Sequence, residues 1–297
     1  MSIESVIGLG FAISIFLGVM AVGMRVAPAD LPYVLSSPAR LIRSLFAMNL
    51  LAPIAAIVVC RTFSLHPAVI VALVTLSIAP VGPLFSANML PLVAPGHAAY
   101  ARGLLFASAV LSVILTPLAV EVIQLIFGGN VHVNPMAVIN VVVSSVLLPL
   151  GVGLAIAHWW PASRRAIPVI QTVSSIILLV CAVIVIVGTW SLVGQVVRRW
   201  TTTAIIVLSL VWLAIGHLLG GRDEDDRTVL AFATASRHPG VAMVVASLTD
   251  QPLAPIGVLV TVLVSELAMV PYKTWRKRRR ASIDPAAGHG SPPAAAH

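Results

Sequence analysis

The chain has 297 residues, of which 59% are hydrophobic and only 9% are charged, and its mean hydropathy is +1.04. A soluble domain has roughly a quarter charged residues, so this composition excludes a water-soluble globule, a disordered chain and a disulfide scaffold. The formal net charge is +8, but six of the eighteen Lys and Arg lie between Lys273 and Arg280, directly after an apolar helix. This placement indicates a cytoplasmic stop segment rather than a nucleic-acid surface. The sequence therefore predicts an all-α, polytopic membrane protein surrounded by lipid, with no nucleic-acid partner.

Apolar segments long enough to cross a bilayer recur along the chain. A hydrocarbon core about 30 Å thick needs roughly 20 apolar residues per helix. We predict nine transmembrane helices, over residues 3–24, 41–60, 67–94, 98–127, 136–157, 165–188, 201–219, 228–249 and 254–272. The first segment lacks the charged start and the small-residue cleavage site of a signal peptide, so it is predicted to be a spanning helix.

The Lys and Arg residues predict the orientation. With the C-terminus in the cytoplasm, fourteen of them lie inside, three lie outside and one lies within a span, which is a strong positive-inside signal. Nine spans then place the N-terminus outside. We expect a multi-pass protein of the cell membrane, specifically a bacterial inner membrane. Residues 273–297 combine the basic stop with a tail rich in Pro, Ala and Gly that is expected to be disordered.

Two of the predicted spans are interrupted near their middle. Pro80, Gly82 and Pro83 interrupt the third span, and Pro239 with Gly240 interrupts the eighth. Proline removes a backbone donor and clashes with the preceding turn. Freed backbone groups in hydrocarbon cost several kcal/mol each unless protein or a water-filled cavity satisfies them. Paired interruptions of this kind are typical of a transporter's binding site.

The two interruptions divide the chain into similar halves. They are 156 residues apart, counted from Pro83 to Pro239, and one further predicted span follows each interrupted one. We therefore predict an inverted repeat of four plus five helices. Residues 1–127 would form the first repeat and residues 128–272 the second.

An arginine lies at the second interruption. An arginine at mid-membrane costs about 2.5–3.5 kcal/mol on insertion scales, so Arg237 is expected to face a cavity or a partner. Half-helix N-termini would add positive potential there, which favours either a substrate carboxylate or a protein acid. The candidate acids are Glu266 in the ninth span and Glu121 in the fourth. The alternative is a permanent Arg237–Glu266 pair that only locks the fold.

Three further polar residues complete the candidate site. His238 is expected either to carry a proton, because histidine titrates near physiological pH, or to act only through hydrogen bonds. Ser86 and Asn88 follow the first interruption and suit a cation or a polar substrate, with interhelical hydrogen bonding as their alternative role. We predict no metal site within the spans and no bound cofactor. The acidic run 223–226 is interpreted as a solvated loop before a helix, with a divalent-metal site as the alternative.

At these residues the chain resembles the bile acid:sodium symporter family, over roughly residues 40–272. The resemblance rests on APVGPLFSAN at 79–88 with PGH at 95–97, and on SRHPGVA at 236–242. It implies two broken helices that cross in the membrane, with sodium sites and an organic-anion site beside them. It also implies a core domain and a panel domain that move relative to each other.

The chain departs from the family's pattern at the ion site. Asn88 falls on the family's asparagine, but Ala87 replaces the preceding serine. Ala233 falls where the family has a sodium-coordinating glutamate, and Arg237 and His238 fall on its Gln-Asn pair. A hard cation that needs oxygen ligands is not expected to bind well at such a site. The charge of Arg237 is instead a candidate replacement for the sodium ion.

Together these features predict a secondary transporter, not an enzyme, that carries a small organic anion by alternating access. The coupling ion, sodium or a proton, is left open, and a keto acid, a vitamin or another organic anion fits equally well. The alternatives are a proton-coupled symporter that uses His238 and a membrane sensor or structural subunit that does not transport. The predicted site consists of Ser86, Asn88, Arg237, His238 and Glu266, with Pro80, Gly82, Pro83, Pro239 and Gly240 at the helix breaks.

Overall fold

A computed structural model describes residues 3–26, 37–82, 85, 92–93, 97–127, 135–197 and 200–283. Within these residues all regular elements are helices, as the composition predicts. We number them α1 (Ile3–Arg25), α2 (Pro38–Thr62), α3 (Pro67–Ile78), α4 (Ala98–Phe127), α5 (Pro135–Val142, continued by Val143–Leu147 and Leu148–Trp159), α6 (Ile167–Gly188), α7 (Trp190–Val196), α8 (Thr201–Leu219), α9 (Glu224–Ala235), α10 (Pro239–Ser247) and α11 (Ala254–Ala268, continued by Val270–Ile283).

Seven stretches of described helix are long and apolar enough to cross a membrane. They are Gly8–Arg25, Pro38–Thr62, Ala98–Glu121, Met136–Trp159, Pro161–Gly188, Thr201–Leu219 and Ala254–Ser282. The two predicted spans missing from this set are the interrupted ones, because α3 has only 12 residues and α9 is separated from α10. The chain is thus a multi-pass helical protein, while the count of nine and the inverted repeat stay predictions.

Two spanning helices contain a single π turn just before a proline. In α2 the π turn is Ala47–Leu51 and is followed by Pro53. In α5 it is Val143–Leu147, followed by Pro149. Proline has no N–H to offer the preceding turn, and a widened turn accommodates its ring without ending the helix. Each π turn therefore leaves a backbone carbonyl that the helix itself does not bind.

The helices pack into two groups. We call α1, α5 and α6 the small bundle, because α1 has extensive contacts with both of the others. The backbones of α1 and α5 approach closely at glycine, since a Cβ on Gly153 would lie 2.1 Å from the Met20 carbonyl oxygen. We call α2, α3, α4 and α8 to α11 the large bundle, and within it α4 is the helix that also packs extensively against α5 of the small bundle. Its interior includes fully buried Trp212, Tyr100 and Phe232.

The last helix continues beyond residue 272, where the sequence predicted a basic stop. The basic run is helical to Ile283, because ion pairs anchor it. Arg276 is only 2% exposed and binds the carboxylates of Glu224 and Asp225 at the start of α9. Arg279 binds Glu224 at 3.1 Å. The interpretation of the acidic run as a solvated loop is therefore wrong for these two acids.

The other two acids of the run are also engaged. Asp223 caps α9 by accepting the Asp225 and Asp226 N–H groups. Asp226 binds Arg40 at 3.0 Å and His97 at 3.0 Å. The ligand atoms of His97, Asp223 and Asp226 lie within 4.8 Å of one another. Because the Arg40 guanidinium already shares the Asp226 carboxylate, this cluster is better explained as an ion-pair network than as a divalent-metal site.

Candidate functional site

The two predicted helix breaks meet inside the large bundle. Val81 and Arg237 form an isolated antiparallel β-bridge. The Gly82 N–H donates to the Ser236 carbonyl at 3.0 Å. A Cβ on Gly82 would lie 2.6 Å from the Arg237 carbonyl oxygen, so glycine is required for this approach. We call this contact between residues 79–82 and 235–238 the crossing.

Proline determines where the half-helices end and begin at the crossing. Helix α3 ends at Ile78, two residues before Pro80, and the Pro80 carbonyl accepts the His238 N–H at 2.8 Å. Helix α10 begins with Pro239, where the absent N–H costs nothing. Gly240 lies in the first turn of α10 rather than in the break. Pro83 lies outside the described residues.

Helix α4 satisfies two backbone groups that the first break frees. The Thr116 hydroxyl donates to the Ile78 carbonyl at 3.3 Å, and the Ser108 hydroxyl accepts the Val81 N–H at 3.2 Å. Both side chains are buried. They were not among the predicted site residues, although hydroxyls at 108, 112 and 116 share one face of an apolar helix. The four-residue spacing of these hydroxyls was therefore the feature of the sequence that could have predicted a polar face on α4.

The Arg237 guanidinium donates hydrogen bonds to three backbone carbonyls. Nε binds the Thr234 oxygen at 3.0 Å, Nη1 binds the Ala79 oxygen at 3.2 Å, and Nη2 binds the Met48 oxygen. The side chain is only 4% exposed. Thr234 lies in the last turn of α9, Ala79 is the C-cap of α3, and Met48 lies in the π turn of α2. One side chain therefore joins three segments of the large bundle.

The predicted pair between Arg237 and Glu266 does not form in the described structure. Both residues line a small cavity of about 20 Å³, which has room for one water molecule. The nitrogens of Arg237 bind carbonyls instead, and Glu266 pairs with Lys273 at 3.2 Å. Glu121 is exposed on α4. The alternative in which a permanent Arg237–Glu266 pair locks the fold is thus wrong.

His238 is the N-cap of α10 and is only 2% exposed. Its Nδ1 accepts the Val241 N–H at 3.3 Å. An acceptor Nδ1 means that the neutral ring carries its proton on Nε2. Among the described residues this Nε2–H has no acceptor. Because an unpaired buried donor is costly, the ring is suited to donate to an oxygen atom of a ligand.

A cavity of about 450 Å³ lies between the small bundle and α10. It is mostly apolar and contains three serine hydroxyls. Its wall is formed by Gly8, Phe11, Ala12, Ile15 and Phe16 of α1, Ser144 and Ser145 of α5, Gly240, Met243, Val244 and Ser247 of α10, and Pro255. Gly240 places the N-terminal, positive end of α10 at the cavity. The Cε1 atom of His238 lies 3.4 Å from where a Cβ on Gly240 would be, so the ring lies beside this wall.

The structure brings part of the predicted site together. Arg237 and His238 are at the crossing, but neither is among the residues that form the described wall of the 450 Å³ cavity. Glu266 lies near Arg237 without pairing with it. Ser86 and Asn88 lie outside the described residues, so their roles stay predictions. The interruptions in the sequence did not predict the contribution of α1 and of the α5 π turn, because both lie in helices without such an interruption.

Comparison with known proteins identifies the first two thirds of the chain. The model of the sodium bile acid symporter family matches residues 12–196. The matched stretch begins within α1, includes the first break, ends with α7 and stops before Arg237. No curated protein sequence matches the chain.

Proposed function

Because the chain belongs to the sodium bile acid symporter family, we propose that it is a secondary transporter of a small organic anion. The family and the seven apolar helices together indicate a multi-pass membrane transporter. The observation that carries the more specific proposal is the 450 Å³ cavity between the two bundles, bordered by the start of α10. Its volume lies in the range of about 300–1,000 Å³ that is usual for small-molecule sites.

The chemistry of the cavity wall supports an anion with an apolar body. The positive end of α10 would stabilise a carboxylate. The Nε2–H of His238 is buried behind this wall and is proposed as a second donor. Phe11, Phe16 and Met243 offer apolar surface to the rest of the molecule, and the Ser144 and Ser145 side chains offer hydrogen bonds. Arg237 would not contact the substrate. It would stabilise the crossing through its hydrogen bonds to three carbonyls. A keto acid, a carboxylate vitamin and a bile acid all meet these requirements.

The packing supports transport by relative motion of the two bundles. Within the small bundle, α1 packs extensively on α5 and α6, whereas its contact with α10 is sparse, and the main connection between the two bundles is the packing of α4 on α5. Alternating access in transporters is largely a rigid-body movement of one bundle against the other around a fixed site. A cavity at the junction of the two bundles is where such movement would expose a substrate first to one side and then to the other.

The proton-coupled alternative assigns proton transfer to His238. Its Nδ1 is occupied as the cap of α10, and its Nε2 already carries a proton in the neutral ring. A second proton on Nδ1 would therefore remove the cap. This contact favours a neutral hydrogen-bonding role, and it predicts that an inward proton gradient does not stimulate uptake. The sensor alternative predicted a permanent Arg237–Glu266 pair, which the described structure lacks.

The proposal is tested by uptake of three anions, pyruvate, nicotinate and cholate, into proteoliposomes. Ser144→Trp would fill the cavity from the small bundle and is expected to lower uptake at least about tenfold. Ile114→Trp is the matched control, because Ile114 is 68% exposed on α4, away from the cavity. Both variants should melt close to the native protein. Native uptake of none of the three anions, or uptake by Ser144→Trp at the native rate, would contradict the proposal.

A further inference from the structure

Three backbone carbonyls that the helices cannot satisfy converge on one point of the crossing. The Met48 oxygen loses its partner because Ala52 donates to Ala47 in the π turn and the next donor position is Pro53. The Ala79 oxygen has no helical partner because α3 ends at Ile78 and Ala79 is extended, and the residue four positions later is Pro83. Proline has no N–H in either case.

The third carbonyl is freed in the same way. The α-helical partner of the Thr234 oxygen would be the His238 N–H, which donates instead to Pro80 at 2.8 Å. The residue after His238 is Pro239, which has no N–H. Each of the three carbonyls is thus followed, four or five residues later, by a proline. We call these three oxygens, of Met48, Ala79 and Thr234, the carbonyl site.

The carbonyl site has the electrostatic character of a cation site. Ala79 and Thr234 lie at the C-terminal ends of α3 and α9, which are the negative ends of the helix dipoles. Unwound carbonyls and half-helix C-termini are the groups that hold coupling cations in transporters with broken helices. Among the described side chains no carboxylate pairs with Arg237, so carbonyls and helix ends provide its compensation.

We propose that the carbonyl site is a monovalent-cation site that the chain fills permanently with the guanidinium of Arg237. A tethered cation is present in every state of the transport cycle and is not released with the substrate. Sodium is then not needed to hold the two breaks together. The consequence for coupling depends on the proposed transport function, whereas occupation of the carbonyl site by a tethered cation does not.

The surroundings leave little for a free cation to bind. Ala233 and Ala235 flank Thr234 with methyl groups, and the Thr234 hydroxyl donates to the Leu230 carbonyl at 2.8 Å. Among the described residues a free ion would therefore have three carbonyl oxygens, whereas hard cations prefer about six or more. The guanidinium has five N–H donors in a planar arrangement that suits three separate oxygens.

Chemical rescue of Arg237→Ala in the purified protein tests this inference without any transport assay. The variant is expected to melt about 10 °C lower, because three buried carbonyls lose their donor. Millimolar guanidinium should recover most of the loss. Urea, which is planar and neutral, should not, and the native protein should respond to neither. Arg222→Ala removes an exposed arginine and is the control for general salt effects.

Two results would overturn the inference. One is a melting temperature of the native protein that rises with sodium chloride but not with choline chloride, since a free cation would then bind. The other is equal rescue of Arg237→Ala by guanidinium and urea, since charge would then not matter. If Arg237→Ala does not fold, Arg237→Lys and Arg237→Gln replace it. The charged lysine should melt closer to the native protein than the neutral glutamine, and the opposite order would contradict the inference.

Discussion

The two ends of α9 hold two buried arginines in opposite ways. At the N-terminal end, Arg276 is 2% exposed and binds the carboxylates of Glu224 and Asp225. At the C-terminal end, Arg237 is 4% exposed and binds backbone carbonyls. The helix dipole explains the difference, because its N-terminal end repels a cation and its C-terminal end attracts one. Acids are needed at the first end but not at the second.

This difference shows why acidic residues alone do not locate the polar site of such a protein. The acids cluster at the start of α9, where they fix α11 in place. The crossing at the other end has a buried charge and no acid among its described partners. At the N-terminal end of α9, we expect the loss of stability from removing an arginine to be offset by also neutralising its acidic partners. At the C-terminal end, the partners are backbone carbonyls, which no side-chain substitution can neutralise.

The largest effect is expected at the N-terminal end. Arg276→Ala should destabilise the protein by about 3–5 kcal/mol, because it removes the buried guanidinium that binds two partly buried carboxylates, of which Glu224 keeps its contact with Arg279. Neutralising them in the same chain with Glu224→Gln and Asp225→Asn should recover a substantial part of that loss. Denaturant titration of the single, double and triple variants measures the coupling. Strictly additive losses would mean that the ion pairs do not hold the end of α11.

The next effect concerns the close approach at the crossing. Gly82→Ala is expected to cost about 1–3 kcal/mol, because its Cβ would lie 2.6 Å from the Arg237 carbonyl oxygen. Gly151→Ala is the matched control, since a Cβ on Gly151 meets no atom within 4 Å. The control should be neutral or slightly stabilising. Equal unfolding free energies for the two variants would argue against the β-bridge between the breaks.

A smaller effect is expected from the hydroxyls of α4. Ser108→Ala and Thr116→Ala should each cost about 1–2 kcal/mol, because each leaves a buried backbone group of the first break without its partner. Thr172→Ala, which removes an exposed hydroxyl from α6, should stay within about 0.5 kcal/mol of the native protein. If all three variants have the same stability, the Ile78 carbonyl and the Val81 N–H are hydrogen-bonded to water rather than to α4.

The smallest change in stability is expected at His238. Asparagine is a good N-cap, so His238→Asn should keep the α10 cap and melt within about 2 °C of the native protein. It removes the buried Nε2–H of the ring that lies behind the cavity wall at Gly240, and anion uptake is expected to fall about tenfold. Native uptake by this variant would exclude the ring as a substrate contact, whereas a large loss of stability would show that the cap needs the imidazole.

The sequence predicted those features that depend on residue type along the chain. Helical class, seven of the nine predicted membrane spans and the two breaks follow from apolar length and from Pro80 and Pro239, and the family resemblance is confirmed by the match over residues 12–196. The buried position of Arg237 also follows from its apolar surroundings. These properties depend on residues that are close together in the chain, so they can be predicted from one sequence.

The partners of Arg237 could not be predicted, because backbone carbonyls have no signature in the side-chain sequence. The Met48 carbonyl is freed by Pro53, yet its donor lies 189 residues away. The sequence predicted acidic partners for Arg237, because a sequence specifies side chains but not the position of each backbone carbonyl. The cavity could not be predicted either. Its wall is formed partly by α1 and by the π turn of α5, and nothing in these two apolar helices distinguishes a residue that borders a cavity from one that faces lipid.

The most direct test of the account is uptake of pyruvate, nicotinate and cholate by the native protein in proteoliposomes, with sodium replaced by choline on both sides. The account predicts that at least one of the three anions is taken up at the same initial rate in either salt, because Arg237 provides the only cation that the crossing needs. Uptake that requires sodium would contradict the tethered cation, and no uptake of any of the three would contradict the proposed transport of organic anions.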